Sequence, residues 1–157
     1  MKHPTLLIAL FSSLVTAACA GSDTDLETAF CDGLQQPAAK TVDASLDAAA
    51  APDATDASRV DVVLLPQTDG SYGGFVAYRP DESGSFAFGL TEDVDLVFRD
   101  ASGAEIAIDT TVVGAACDEL AVRHSVSLSL DVVTIEIVGS PIETIGLIAE
   151  ESDDDQS

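Results

Sequence analysis

The sequence predicts an all-β protein: an antiparallel β-sandwich or jelly-roll-like domain of about eight strands, preceded by a signal peptide, a short helix and a flexible Ala/Asp-rich linker. Three observations predict it. Between Ser83 and Asp109, apolar and polar residues alternate with period two: Phe86, Phe88 and Leu90, then Val94, Leu96 and Phe98, then Ile106 and Ile108 fall on one face. The same alternation returns after Cys117, where Val126, Leu128 and Leu130 stand against Ser125, Ser127 and Ser129, and where Val133, Ile135 and Ile137 stand against Thr134 and Glu136. Turn-forming residues punctuate these runs at the spacing of short antiparallel strands.

Composition narrows the possible roles. The 157-residue chain carries 28 acidic against 6 basic residues, a formal net charge of −22. Such a chain has nothing with which to release counterions from a phosphate backbone, which excludes a nucleic-acid binder. The charge also argues against electrostatic docking on an anionic membrane. It suits a solvated, monomeric exported protein, and beyond that it is compatible with recruitment of cations.

Taken in order, residues 1–18 read as a signal peptide. Met1-Lys2-His3-Pro4 is a short basic start, and Thr5 to Val15 is an apolar run too short to span a bilayer stably. Thr16-Ala17-Ala18-Cys19-Ala20-Gly21 then resembles the lipobox of bacterial lipoproteins, with small residues before a cysteine that becomes lipidated, although Thr16 stands where that family carries a branched apolar residue. The resemblance implies Cys19 as the lipidated first residue of the mature chain, anchored to the membrane by its lipid. No aspartate follows Cys19, which by the same resemblance implies the outer membrane. Ala18-Cys19-Ala20 equally fits ordinary cleavage after Ala20, giving a soluble periplasmic or secreted protein. Cysteine parity bears on the choice: the chain has three, Cys19, Cys31 and Cys117, and an oxidising compartment disfavours an unpaired thiol. With lipid on Cys19, Cys31 and Cys117 are left to pair as a disulfide.

Residues 19–58 form the segment between anchor and sandwich. Thr24-Asp25-Leu26-Glu27 has the spacing of a capping box, predicting a helix from Asp25 to about Asp32 that places Leu26 and Phe30 on one side and stops at Gly33. Gln35 to Ser58 is low in complexity and poor in large apolar side chains, so it reads as a linker with a helical turn near Ser45 to Ala50. A flexible chain of that length would reach roughly 25 Å, enough to hold a domain clear of lipid headgroups.

The sandwich is expected over residues 59–150. Val60, Val62 and Leu64 alternate in a first strand ended by Pro66 and the turn Thr68-Asp69-Gly70-Ser71, and Gly73 to Arg79 forms a second. The stretch from Ser83 to Asp109 is expected to supply three consecutive antiparallel strands, with Ser85, Ala87 and Gly89 facing water, and Thr110 to Gly114 extends the last. Val122 to Leu130, Asp131 to Val138 and Glu143 to Ala149 complete the set, before an acidic tail over residues 151–157 that discourages edge pairing. The succession GSFAFGL, DVDLVFRD, a cysteine-bearing loop and HSVSLSLDVVTIEIVG resembles the small β-sandwich modules of exported bacterial proteins, such as bacterial pre-peptidase C-terminal domains, and a group of Ala/Asp-rich bacterial lipoproteins. The resemblance covers roughly Arg59 to Glu150. It implies a non-catalytic accessory or binding module and transfers no site residues.

No residue set points to catalysis, a cofactor or a metal. The mature chain has one histidine, His124, in phase with Val122 and Val126 on an inward face; a hydrogen-bonded core histidine accounts for it. It adjoins Ser125 and lies near Asp118 and Glu119, but no G-x-S-x-G elbow accompanies them. Tyr72, Phe75 and Tyr78 cluster near a loop and suit packing. Asp93 and Asp95 beside Glu92, and Asp53 with Asp56, offer carboxylates without a calcium-loop pattern. Two function classes follow: a non-enzymatic cell-envelope module that binds a protein or surface polymer, and an acidic divalent-cation (calcium) binder.

Overall fold

The computed structural model describes residues 22–113 and 117–152; the export segment, Cys19 and the end of the acidic tail lie outside them. In chain order the elements are α1 (Ser22–Gln35), β1 (Lys40–Asp43), a 3-10 turn (Ala48–Ala50), β2 (Val60–Val63), β3 (Leu65–Pro66), β4 (Tyr72–Tyr78), β5 (Gly84–Leu90), β6 (Asp95–Arg99), β7 (Glu105–Ile106), β8 (Thr110–Val113), β9 (Val122–Leu128), β10 (Val133–Ser140) and β11 (Thr144–Glu151). They make two sheets, one ordered β1-β2-β11-β5-β9-β8 and the other β3-β4-β10-β6-β7. All neighbours are antiparallel except β1 and β2. The protein is therefore an all-β sandwich.

Alternation places the core. Phe86, Phe88 and Leu90 from one sheet meet Leu96, Phe98, Ile135 and Ile137 from the other, with Val94 beside them, all buried. Each such burial is worth about 1.5–3 kcal/mol. Ile106 is partly buried, because β7 is a two-residue strand at the edge of its sheet. Tyr78 stands edge-on to Phe88, and Phe88 tilts against Phe98, at centroid separations of 5.1 and 5.0 Å.

Several expectations are corrected. The stretch from Ser83 to Asp109 is not three consecutive paired strands: β5 lies in the six-stranded sheet between β11 and β9, whereas β6 lies in the five-stranded sheet between β10 and β7. The chain crosses from one sheet to the other at residues 91–94 and returns for β8, which pairs with β9 rather than extending β7. Period-two alternation marks the face that looks inward, and in a sandwich both sheets look inward at the same core.

Ala87 and Gly89 do not face water, because α1 covers them. Phe30 and Leu34 from the helix pack with Ala87, Leu120 and Ile148 in a second apolar cluster, with Leu26 partly buried at its margin. A methyl group at Gly89 would come 2.7 Å from Phe30 Cδ1 and 3.0 Å from Leu120 Cδ1, so the missing side chain is what lets the helix sit this low. Gly33 plays the same part from the helix side, against Ile148.

The helix is also longer than its local signals imply. It begins at Ser22, so Thr24 already lies within it and its carbonyl accepts from Thr28 Oγ1 instead of forming the expected capping box. It runs through Gly33 to Gln35 because Leu34, one turn after Phe30, is buried in the same cluster. That burial outweighs the cost of about 1 kcal/mol for glycine in a helix. No basic residue of α1 faces its negative C-terminal end; Arg59 supplies one from elsewhere, its guanidinium 2.7 Å from the Leu34 carbonyl and 2.8 Å from Asp61 Oδ1.

Residues 36–58 are not a free linker. β1 pairs in parallel with β2, covering that edge of the six-stranded sheet. The chain then passes to the five-stranded sheet, where Ser45 exchanges hydrogen bonds with Phe75 at 2.8 and 3.0 Å, and Ala54 and Pro52 hold both backbone groups of Ala77 at 2.8 Å. Buried Ala44 and Ala54 pin the strap, which occupies the outer edge of β4 beyond β3. Its small side chains fit a segment lying flush along an edge. At the other end, Glu151 pairs with Phe86, so β11 extends past the expected tail boundary.

Candidate functional site

Among the described residues the one covalent cross-link is the bond between Cys31 of α1 and Cys117 in the loop before β9, with Cα atoms 5.9 Å apart. It fastens the helix at the edge of the cluster that Phe30 and Leu34 build, and Cys117 packs against that cluster. Gln35 Nε2 reaches Glu119 Oε2 at 3.4 Å on the same side. Cys19 lies outside the described residues.

His124 is 4% exposed. Its Nε2 lies 3.1 Å from the Val94 carbonyl, which accepts, and its Nδ1 lies 3.0 Å from Thr111 Oγ1. Both ring nitrogens are thus engaged in tying β9 to β8 and to the segment that crosses between sheets. Ser125, as the next residue of the strand, points to the opposite face and makes no dyad with it. Both nitrogens of the ring are therefore taken up by these packing contacts.

Many carboxylates are likewise occupied locally. Asp47, Asp53 and Asp56 each accept the backbone N–H two residues on, at 2.9, 2.9 and 3.1 Å. Asp69 accepts from both the amide and the hydroxyl of Ser71, and Asp100 from both groups of Ser102 and from the Ala104 amide. The Ser71 and Ser102 hydroxyl bonds hold the Asp69 and Asp100 carboxyls below the usual carboxylate range. These aspartates shape turns, which is one physical account of why the chain is so rich in them. Among the described residues no group of three or more His, Cys, Asp or Glu side chains is arranged to hold a metal ion. Also among them, no helix is long and apolar enough to cross a membrane.

Among the described residues, three shallow grooves lie on the sandwich surface. One, about 290 Å³, is floored by Gly73 and Gly74 and flanked by Leu46, Phe75 and Val138. A second, about 380 Å³, lies beside Arg99 and the 100–103 turn. The third, about 330 Å³, opens at the end of the sandwich where Tyr78 and Phe86 emerge from the core; it was not legible in the sequence, since its walls come from residues 55–57, β4, β5 and β11. Its rim carries Asp56, Asp81, Glu150 and Glu151, with Arg79 among them. Of the three expected aromatics, Tyr78 packs in the core, Tyr72 packs partly against it, and Phe75 lines the first groove.

No protein-family model matches the chain, and no curated protein matches it significantly.

Proposed function

We propose that this protein is a non-enzymatic cell-envelope lipoprotein, anchored through lipid on Cys19, whose disulfide-stapled β-sandwich serves as a binding or structural module for a protein or surface polymer. The observation that carries the reading is the Cys31–Cys117 bond. Such a bond suits an oxidising compartment, and it leaves Cys19, directly after an apolar export segment, as the one cysteine without a thiol partner in the sequence. The engaged His124 and the turn-forming aspartates support a role without catalysis.

Because residues 36–58 are fastened to the sheet edges, they supply no spacer. The tether is the short link from Cys19 to Ser22, whose extended reach is about 10 Å. The sandwich would then ride close to the membrane, α1 nearest, rather than at the distance a free linker would allow. Metabolic labelling with a fatty acid tests the anchor. Label on the wild type and none on Cys19→Ala is the expected result; no label on either, with a mature N-terminus at Gly21, refutes it and makes the protein soluble.

A further inference from the structure

We propose that β8 is a self-association edge, where a second copy of this chain adds its own β8 in antiparallel register and the two six-stranded sheets run on as one. Among the described residues, the other sheet edges are protected against such pairing. β1 carries Lys40 and Asp43 at its two ends. β3 has two residues, one of them Pro66, and the strap covers the rest of the β4 edge through Ser45 and Ala54. β7 has two residues, one of them Glu105. Charge, proline, brevity and cover are the devices that keep sheet edges from pairing.

β8 has none of them. Thr110-Thr111-Val112-Val113 is uncharged and β-branched throughout, contains no proline, and is exposed at every position but Val112. Its inner side is fixed by pairing with β9 along its whole length, by the contact of Thr111 with His124, and by the bond from Ser127 to the adjoining Asp109. The outer backbone groups therefore stand in strand geometry before any partner arrives, which lowers the ordering cost of association. Val113 is a separate observation. It pairs with buried Val122 and so lies on the core-facing side of the sheet, yet it is 60% exposed.

Charge and symmetry select a second copy and its direction. At a net charge of −22, two copies repel over most of their surface, and β8 is a stretch where backbones can meet without opposing carboxylates. Antiparallel pairing centred on Val112 sets Val112 against Val112 of the second copy, and Thr111 against its Val113 on the core-facing side, so two-fold symmetry covers both exposed valines. Each Asp109 then lies three residues from the symmetry axis, which separates the two by about 20 Å, well beyond the screening length of about 8 Å in physiological salt. Parallel pairing in register would set Asp109 directly beside Asp109. One short strand from each copy makes a small interface, so the dimer is weak, and it stops at two because the pairing consumes both edges. The pairing needs no lipid and stands apart from the anchor.

Sedimentation velocity of the purified protein over a range of concentrations tests it, together with hydrogen exchange read by mass spectrometry at the lowest and the highest. The expected result is a monomer–dimer equilibrium that strengthens as sodium chloride screens the acidic surfaces, with exchange slowed at Thr110 to Val113 in the dimer. Val113→Lys places a charge at an already exposed position of the edge and should weaken the dimer roughly tenfold or more. Val138→Lys, at an exposed valine of β10, should leave it unchanged. A monomer at every concentration, equal weakening by Val138→Lys, growth beyond the dimer, or slowed exchange confined to other strands overturns the proposal. Protection of β8 in a species of monomer mass also overturns it, since another segment of the same chain would then occupy the edge.

Discussion

Truncating Phe30 to alanine removes the centre of the contact between α1 and the sandwich. The ring is fully buried, pressed into the space that Gly89 leaves open beside Leu120. Phenylalanine-to-alanine changes at such sites cost about 3–5 kcal/mol, the sum of lost transfer energy and a residual cavity. Apart from the Cys31–Cys117 bond and the polar contacts at its C-terminal end, the helix is held by little else. At 14 residues it is marginal on its own in water, and its remaining apolar contacts are buried Leu34 and half-buried Leu26. Against a domain stability of about 5–15 kcal/mol, the loss is a large fraction. Urea unfolding of the oxidised chain, followed by far-UV circular dichroism, should show the unfolding free energy falling by about 3–5 kcal/mol. Gly89→Ala approaches the same contact from the other side: overpacking costs it about 1–3 kcal/mol in the wild type, and much less in the Phe30→Ala background. A loss below about 1 kcal/mol for Phe30→Ala, or strictly additive penalties in the double variant, would refute the docking described for α1.

Removing the disulfide with Cys31→Ala and Cys117→Ala opens a loop spanning 86 residues and should lower stability by about 4–5 kcal/mol on the chain-entropy account, checked by the same denaturation series. Leu96→Asp places a carboxylate 3% exposed, opposite Ile137, and should abolish the cooperative thermal melt; a transition close to wild type would contradict the register. Stability should fall in acid partly through Asp69 and Asp100, whose folded carboxyls sit below the ordinary value of 3.8: their contribution is present above that value and is lost as pH falls through the depressed one, so Asp100→Asn should flatten the acid limb of a Tm-against-pH curve. Glu150 runs the other way. Burial raises its carboxyl above the ordinary value of 4.5, its charged form costs stability at neutral pH, and that cost disappears as pH falls through the raised value; Glu150→Gln should therefore raise Tm at neutral pH and leave it unchanged in acid.

The sequence by itself determined which side chains of the strands face the sandwich core, Leu130 excepted: β9 ends at Leu128, and Leu130, expected inward, is exposed. Phe86, Phe88, Leu96, Phe98, Ile135 and Ile137 are buried where their alternation placed them, because a strand's side chains alternate whatever it pairs with. His124 was legible for the same reason, and the Cys31–Cys117 pair was expected once Cys19 was set aside as the lipidated cysteine. Partnership was not legible. The alternation of Ser83 to Asp109 is the same whether its strands are neighbours in one sheet or divided between two that share a core. Ala87 and Gly89 read as a solvated face because small residues carry no local sign of what covers them, and only the docking of Phe30 and Leu34 distinguishes a helix-bearing face from a wet one. Residues 36–58 read as a linker since they bury little apolar surface; their order comes from backbone hydrogen bonds to Phe75 and Ala77 and from pairing with β2, which composition does not encode. The groove at Tyr78 belongs to the same class: its walls converge from distant parts of the chain, and tertiary packing alone brings them together.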